Sequence, residues 1–480
     1  MSPTNAFPQG FVWGAATAAF QIEGAAAADG RAPSIWDTFC RVPGAVVGGD
    51  TGDVACDHYH RWPDDLALLT ELDLDAYRFS TAWPRIVPEP GRVERRGLDF
   101  YSRLVDGLLE RGITPWVTLY HWDLPQWLED RGGWASRDVV GHFADLVTAV
   151  RDTLGDRVRH WGTLNEPWCS AFLGYAGGQH APGRQEPQAA VSATHHLLLA
   201  HGTAVQLLRG APDATVGLTL NTGVTDPAHA EHPADAVAAR LQDAMQMGVF
   251  LGPALQGAYP AEVLAAWAAV GVEPPVHDGD LALIAAPIDY LGVNYYCGGA
   301  VCAQDPDPAT VLPHEAPAER ATSDPFVGLG DVQGLSRGLP RTAMGWEVQP
   351  DGLRRLLLGL QADWTGPAGI PLYVTENGAA YADVVAPDGS VPDAERAAYL
   401  RSHTAAVADA VAQGADVRGY FVWSLLDNFE WAWGYDKRFG IVRVDFATLR
   451  RTVKDSGWAF RDVVRASRAR AGSAAATVDG

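Results

Sequence analysis

The chain has 480 residues and a formal net charge of −22, because 58 acidic side chains oppose 36 basic ones. This excess of negative charge disfavours binding to nucleic acid or to an anionic membrane surface, whereas a neutral small-molecule substrate is compatible with it. Five cysteines without CxxC spacing, the lack of an eighteen-residue apolar run and an N-terminus unlike a signal peptide favour a reduced, cytoplasmic protein without a membrane span.

Apolar runs that are typical of buried strands recur along the whole chain, with amphipathic helical segments between them. The runs cover residues 11–21, 76–80, 114–120, 160–166, 215–221, 290–296, 371–377 and 417–425. Strands that alternate with helices indicate βα units and a parallel sheet. Eight such units predict an α/β protein built as a single (β/α)8 TIM barrel with long βα loops, and a doubly wound sheet is the alternative.

The chain is predicted to form one domain, because no Pro/Gly/Ser-rich linker divides it. We assign residues 1–467 to this domain and expect residues 468–480 to be a flexible tail. Residues 297–345 are rich in proline, aspartate and glycine and are expected to form a long irregular loop. Loops of that length in a compact domain are usually functional, so this one is a candidate wall of a substrate entrance.

Two glutamates lie 210 positions apart in similar surroundings. Glu166 in TLNEP and Glu376 in YVTENG each end an apolar run, and each is followed by a residue that interrupts a strand. Pro167 is expected to hold its predecessor extended, and Gly378 is expected to let the chain turn. Either glutamate alone could be a helix-start or salt-bridge residue. Together they indicate hydrolysis of a glycoside, which needs two carboxyl groups across the scissile bond.

Polar and aromatic side chains also stand at the ends of the other predicted strands. In a (β/α)8 barrel the active site lies at the carboxyl ends of the strands, so we expect these side chains to meet. They are Gln21, Arg78, His121, Trp122, Asn165, Asn221, Asn294, Tyr296, Asn377 and Trp423.

Ten stretches between residue 7 and about residue 465 form a characteristic series: FVWGAATAAFQIEG (11–24), SIWDTF (34–39), ACDHYHRW (55–62), YRFSTAWPRI (77–86), TLYHWDLPQWL (118–128), TLNEPW (163–168), GVNYY (292–296), MGWEVQPDGL (344–353), YVTENG (373–378) and FVWSLLDNFEWAWGYDKRFG (421–440). In this order and spacing they resemble glycoside hydrolase family 1. The resemblance implies the barrel and a retaining β-glucosidase that removes terminal non-reducing β-D-glucosyl residues from oligosaccharides or aryl and alkyl glycosides. Carbohydrate metabolism, including degradation of cellulose and other polysaccharides, is the implied context.

The resemblance also implies residue roles. Glu376 is the expected nucleophile and Glu166 the expected acid/base, with Arg78 and Tyr296 as hydrogen-bond partners of Glu376. Retention predicts carboxyl groups about 5–5.5 Å apart, and relatives have a cis peptide between Trp423 and Ser424. The expected substrate-binding residues are Gln21, His121, Trp122, Asn165, Asn294, Trp346, Trp423, Glu430 and Trp431.

Glu430 is the residue from which we predict specificity. Relatives that act on 6-phosphoglycosides carry a serine there, whereas a carboxylate would repel the phosphate. Two alternatives remain open: a transglycosylating β-glycosidase with the same site, and a catalytically silent sugar-binding protein. The natural aglycone, the ranking of glucose, galactose and fucose, and the oligomeric state stay open.

Two histidine-rich segments, residues 56–60 and 194–201, are interpreted as scaffold, because neither shows the ligand spacing of a zinc site. No phosphate-binding loop or dinucleotide fingerprint is present in the sequence. We therefore expect neither a cofactor nor a metal.

Overall fold

Eight parallel strands close into a barrel in the computed structural model, which describes residues 7–303, 310, 311 and 319–478. The strands are β1 (Val12–Ala16), β2 (Ala76–Ser80), β3 (Thr114–Tyr120), β4 (His160–Asn165), β5 (Thr215–Thr222), β6 (Tyr290–Tyr295), β7 (Leu372–Asn377) and β8 (Val417–Trp423). Each pairs with its neighbours in chain order, and β8 pairs with β1. The (β/α)8 prediction is confirmed, and the doubly wound alternative is wrong because the sheet has no edge.

The predicted strands coincide with the observed ones, with one exception. The run 11–21 is strand only as far as Ala16, and Gln21 lies in the following helix, Ala19–Ile22. Alanines at 15, 16, 18 and 19 fit a strand or a helix equally well by burial, so the hydrophobic pattern alone could not locate this boundary.

Helices cover the outside of the barrel and occupy the loops. The α-helices are Ala19–Ile22, Ile35–Phe39, His58–Glu71, Trp83–Ile86, Arg95–Leu109, Gln126–Glu129, Val139–Leu154, Pro187–Leu208, Pro233–Asp243, Val249–Leu251, Ala261–Ala269, Asp280–Ile284, Pro350–Leu360, Gly366–Ala368, Ala394–Ala412 and Asp455–Val478. Single turns of 3₁₀-helix are Ala28–Gly30, Val47–Gly49, Gly133–Ala135 and Trp431–Trp433, and π-helical segments are Cys169–Gly177, Ala244–Gly248, Gly252–Gln256 and Gln361–Thr365.

The long βα loops contain two small sheets. Thr225–Pro227, Gly299–Cys302 and Gln333–Gly334 form a three-stranded sheet that joins the loops after β5 and β6. Val442–Val444 pairs with Arg451–Val453. The expectation of a wholly irregular segment at 297–345 is therefore wrong for these strands, while 304–309 and 312–318 of that segment lie outside the described residues.

Helix Asp455–Val478 continues past residue 467, and the flexibility expected of residues 468–480 stays a prediction. Arg465 and Arg468 of this helix contact Asp73 and Asp75 just before β2. Residues 479 and 480 lie outside the described part of the chain. None of the described helices combines the length and the apolar character needed to cross a bilayer.

Gly378 follows β7 for a different reason from the one expected. Its φ is not positive, so it makes no left-handed turn. A Cβ at this position would lie 1.7 Å from the carbonyl oxygen of Trp423. The glycine therefore allows the end of β7, which carries Glu376, to approach the end of β8.

Candidate active site

Two buried carboxyl groups meet at the carboxyl end of the barrel. Glu376 lies within β7, where it is paired in register with Asn294 of β6. Glu166 directly follows β4, and its backbone N–H donates to the carbonyl of Thr219 on β5 at 2.9 Å. Only 2% of Glu376 and 6% of Glu166 is exposed, so both carboxyls are largely removed from bulk water.

Glu376 has a partner for each of its oxygens. The Arg78 guanidinium donates to Oε1 at 2.6 Å, and the Tyr296 hydroxyl donates to Oε2 at 2.7 Å. Burial raises the pKa of Glu376, but Arg78 and Tyr296 oppose this rise because both favour the charged form. The two contacts expected from the sequence are present.

No cationic side chain among the described residues bonds to Glu166. Its Oε1 accepts from the Asn294 amide at 2.7 Å, and its Oε2 is 3.2 Å from the thiol of Cys169. Burial and the nearby Glu376 carboxylate raise the pKa of Glu166 to about 8. A protonated Glu166 beside an ionised Glu376 is the arrangement that removes like-charge repulsion, because only Glu376 is paired with a guanidinium.

Asn165, the last residue of β4, connects Arg78 and Asn294, which bind the two carboxyls, to His121 on the cavity wall. Its Oδ1 accepts from Arg78 at 2.6 Å and from Asn294 at 3.1 Å, so its Nδ2 faces His121 Nε2 at 3.0 Å. Burial, with Arg78 nearby, lowers the pKa of His121 well below its usual range. A neutral His121 that accepts at Nε2 carries its proton on Nδ1, which has no partner among the described residues and is available as a donor.

Glu430 is a third acidic group at the same end of the barrel. Burial raises the pKa of Glu430 to about 8, and the Glu376 and Glu166 carboxylates add to this. Gln21 supports this loop: its amide Nε2 donates to the carbonyl of Phe429 at 2.8 Å and lies 3.4 Å from Glu430 Oε2. Its Oε1 has no partner within the described part of the chain.

A cavity of about 430 Å³ opens onto these groups. Its lining combines a few polar groups with a large aromatic surface, which is typical of sites that bind a ring with hydroxyls at its edge and C–H groups on its faces. The lining residues are His121, Trp122, Glu166, Trp168, Cys169, Leu173, Gln179, His180, Asn221, Thr222, Gln246, Asn294, Tyr296, Cys297, Pro325, Met344, Trp346, Glu376, Trp423, Glu430, Trp431, Trp433 and Phe439.

Of the fifteen site residues predicted from the sequence, eleven line the cavity and three stand behind its wall, whereas Asn377 lies away from it and bonds to Tyr295, Tyr399 and Tyr420. Arg78 and Asn165 contact lining residues from behind, as Gln21 does through Glu430. The Trp423–Ser424 peptide is cis, as expected. The sequence analysis missed several lining residues, including Gln179, His180, Gln246, Trp433 and Phe439. Trp433 and Phe439 follow Glu430 within one quoted motif, whereas Gln179 and His180 belong to no strand end or motif that we used.

Three lining residues have strained backbones. Positive φ angles occur at Glu166 (45°), Trp122 (77°) and Trp431 (51°), where a side chain other than glycine costs about 1–3 kcal/mol. The expectation that Pro167 holds Glu166 extended is therefore wrong. Instead, the Glu166 carbonyl accepts from the N–H of Cys169 at 3.0 Å, which begins a helical turn directly after the strand. At these three positions the strain accompanies a side chain that faces the cavity, while seven other described non-glycine residues with positive φ lie elsewhere.

Two histidines of the histidine-rich segments are bonded to neighbouring side chains, which fits the interpretation as scaffold. His58 pairs with Asp65 at 2.8 Å, and the buried His195 contacts both Tyr259 and Asp280 at 2.9 Å.

A further group, His229, His232 and Asp235, has ligand-type atoms within 4.8 Å of one another. Its carboxylate is already engaged: Oδ2 accepts from His229 Nδ1 at 2.9 Å, and Oδ1 accepts from the N–H of Ala303 at 2.9 Å. These bonds tie the loop after β5 to the loop after β6, which explains the cluster without a metal.

Comparison with known proteins identifies the family. The sequence profile of glycosyl hydrolase family 1 matches residues 3–469. β-Glucosidase A of Thermotoga maritima is 46% identical over 96% of this chain and 98% of its own length. A bifunctional β-D-glucosidase/β-D-fucosidase of Bifidobacterium breve is 48% identical over 94% and 97%. The crystal structure of a psychrophilic β-glucosidase from Micrococcus antarcticus superposes with a TM-score of 0.91 at 51% identity, covering 96% of this chain and 98% of that one. The chain belongs to glycosyl hydrolase family 1.

Proposed function

We propose that this protein is a retaining β-glucosidase, with Glu376 as the nucleophile and Glu166 as the acid/base. The observation that carries the proposal is that the two carboxyls have different hydrogen-bond partners, which favour ionisation of one and protonation of the other. Glu376 is bound by a guanidinium and a phenol, which favour a carboxylate. Within the described part of the chain, the side-chain partners of Glu166 are an amide and a thiol, and its raised pKa keeps it protonated at neutral pH.

The reaction would proceed by double displacement. The Glu376 carboxylate attacks the anomeric carbon while the bond to the aglycone oxygen breaks, and Glu166 gives its proton to that oxygen. In the second step Glu166 takes a proton from water, the resulting hydroxide oxygen bonds to the anomeric carbon, and the Glu376 carboxylate is released. The sugar leaves with the β configuration, and Glu166 is protonated again for the next cycle.

The first experiment follows the hydrolysis of an aryl β-glucoside by NMR. We expect the β anomer as the first product, before mutarotation, and the α anomer would contradict retention. Glu376→Ala should reduce kcat by at least about 10⁴-fold, since the nucleophile forms the intermediate. If the wild-type protein bound glucose but hydrolysed none of several aryl glycosides, it would be a sugar-binding protein instead.

The proposed substrate is a terminal glucosyl unit without a phosphate, and Glu430 is proposed to bind its outer hydroxyls. Glu430→Gln keeps the size of the side chain but removes one of its hydrogen-bonding roles, so we expect glucoside turnover to fall about tenfold. Parallel assays with aryl β-glucoside, β-galactoside and β-fucoside test this role. Unchanged rates for both the glucoside and the galactoside would show that Glu430 does not bind these hydroxyls.

The apolar part of the lining supports an aromatic or alkyl aglycone. Trp168, Leu173, Pro325 and Met344 line the cavity together with Trp346. Such a surface stabilises a hydrophobic leaving group by removing its apolar area from water. We therefore propose aryl and alkyl β-glucosides and short β-linked oligosaccharides as the substrate class.

A further inference from the structure

The side chain of Cys169 returns to the carboxyl of Glu166, three residues earlier in the chain. Its Sγ lies 3.2 Å from Glu166 Oε2, and its backbone N–H donates to the Glu166 carbonyl at 3.0 Å. Cys169 is 7% exposed and begins the segment Cys169–Gly177. The same turn that places Glu166 therefore also fixes the thiol against it.

The other oxygen of Glu166 faces a partner that can only donate. Asn294 Nδ2 donates to Glu166 Oε1 at 2.7 Å, while Asn294 Oδ1 accepts from the Thr375 hydroxyl at 2.7 Å. The contact with Asn165 fixes the orientation of the amide: Asn165 Oδ1 accepts from the Arg78 guanidinium, which can only donate, so the Asn294 atom 3.1 Å from Asn165 Oδ1 must be an N–H donor. A proton on Oε1 would weaken the bond from Asn294, because a protonated oxygen is the poorer acceptor, so the acidic proton of Glu166 is favoured on Oε2.

A thiol can form a hydrogen bond with Oε2 whether Glu166 is ionised or protonated. It is a weak donor through S–H and a weak acceptor through sulfur, whereas an amide N–H or a guanidinium can only donate. Burial raises the pKa of the Cys169 thiol well above its usual range, so it remains a neutral thiol beside the carboxyl. Double displacement requires Glu166 to alternate between acid and base, and Cys169 is suited to both states.

Resting on the proposed role of Glu166, we propose that Cys169 is a positioning residue for the acid/base. Its S–H donates to Oε2 when Glu166 is ionised, and its sulfur accepts from Oε2 when Glu166 is protonated. The thiol thereby holds Oε2 in place in both states, and the proton on Oε2 turns from the sulfur to the leaving oxygen when it is transferred. A purely packing role for Cys169 is the alternative.

Substrates with different leaving groups separate these two roles. Departure of a phenol or an alcohol needs the proton from Glu166, whereas 2,4-dinitrophenolate leaves without it. For Cys169→Ala we expect kcat/KM on phenyl β-glucoside to fall about fivefold, the effect of one modest hydrogen bond. The value for 2,4-dinitrophenyl β-glucoside should stay within about twofold. Lost packing alone would lower both values together.

The pH profile gives a second readout. Donation from S–H favours the Glu166 carboxylate, so its loss should raise the pKa of Glu166. Because the acid must be protonated, the basic limb of kcat/KM should move to higher pH in Cys169→Ala. Cys169→Ser keeps a group that donates and accepts, and it should restore both the limb and the phenyl glucoside rate.

Cys40→Ala is the matched control, because Cys40 is also a buried cysteine but does not line the cavity. It should leave the leaving-group dependence and the basic limb as in the wild type.

An unchanged basic limb in Cys169→Ala, or equal losses on both substrates, overturns the proposal while the wild-type protein remains active. If Cys169→Ala does not fold, Cys169→Ser decides: wild-type behaviour supports the proposal, and equal losses on both substrates contradict it. A wild type that is inactive on both substrates would instead refute the proposed function.

Discussion

The ionisation of Glu376 depends on the two side chains that donate to it, and Tyr296 is the one that can be removed without removing a charge. Tyr296→Phe deletes the 2.7 Å bond to Oε2 and leaves Arg78 in place. Without that donor the pKa of Glu376 should rise further. Because the nucleophile must be ionised, activity is lost as pH falls through this pKa, so the acidic limb of kcat/KM should move to higher pH. We also expect kcat/KM at pH 7 to fall about tenfold to a hundredfold, as for other hydrogen bonds to charged groups.

The neighbouring tyrosine supplies the control for this pH profile. Tyr295 is buried and also makes a single short hydrogen bond, but its hydroxyl donates to the carbonyl of Gln349 at 2.7 Å, away from the two carboxyls. Tyr295→Phe should therefore leave the acidic limb in place. An acidic limb that does not move in Tyr296→Phe would mean that this phenol does not stabilise the Glu376 carboxylate.

At the scale of elements, β7 and β8 can approach each other only because Gly378 has no side chain. In Gly378→Ala the new methyl group would meet the Trp423 carbonyl oxygen, so the ends of both strands must move apart. We expect a loss of at least about 2 kcal/mol in the free energy of unfolding. Glucosidase activity should fall as well, since Glu376 and Trp423 lie at these strand ends. Chemical denaturation and steady-state kinetics measure the two effects.

Gly359 gives the matched glycine for comparison. It lies in helix Pro350–Leu360, and a Cβ built there meets no atom within 4 Å. Gly359→Ala should stabilise the protein by about 0.5–1 kcal/mol, because alanine favours the helix. If both substitutions had the same effect on unfolding, the close approach of β7 and β8 would not constrain the fold.

A buried ionic cluster holds the loop that carries Glu430. Lys454, just before the C-terminal helix, contacts Asp427 at 2.7 Å and also pairs with Asp383, and all three side chains are fully buried. Lys454→Met would leave two buried carboxylates short of one positive charge. We expect destabilisation of about 3–5 kcal/mol in chemical denaturation, together with weaker glucoside binding because Asp427 is three residues before Glu430.

An exposed ion pair tests whether burial causes the destabilisation that we expect for Lys454→Met. Arg418 pairs with Asp416 at 2.7 Å, with 55% and 43% of the two side chains exposed. Arg418→Met should cost less than about 1 kcal/mol, since water screens and replaces this interaction. Comparable losses for Lys454→Met and Arg418→Met would show that the buried cluster adds little to stability.

The sequence was most informative where strands are buried on both faces. Continuous apolar runs such as residues 290–296 stand out in a parallel barrel, and the polar residue that ends each run marks the active-site edge. The boundary near Gln21 was missed because small apolar residues suit both strand and helix.

The loop contributions were harder to predict. Gln179 and His180 reach the cavity from a segment without periodic pattern, and their placement depends on tertiary contacts such as the bond from Gln179 to the carbonyl of Ser323. The positive φ of Glu166 also escaped prediction, because a local proline rule was overridden by the hydrogen bonds that start the next helical turn.

At the scale of the whole molecule, the net charge of −22 and the glutamates of the cavity both disfavour the binding of a negatively charged substrate. The cavity lining includes three glutamates and no lysine or arginine within the described residues. Lys437 packs over the Trp433 ring at 4.4 Å, but it is paired with Asp436 at 2.9 Å. A sugar phosphate would therefore lie near the Glu376 carboxylate without a free cationic partner in the described lining, at a cost of several kcal/mol.

We expect kcat/KM for an aryl β-glucoside to exceed that for its 6-phosphate by at least about a hundredfold at pH 7. The pKa of Glu430 is raised to about 8, so this carboxyl becomes fully charged only above that pH, and the ratio should grow as pH rises through 8.

Glu430→Ser removes this charge and should lower the ratio mainly at high pH. Added salt screens the remaining charges and should raise the phosphate rate while leaving the neutral glucoside nearly unchanged. A ratio near one in the wild type, or a ratio that does not respond to Glu430→Ser, would mean that Glu430 does not exclude the phosphate, and selection among sugars would then have to come from other parts of the cavity.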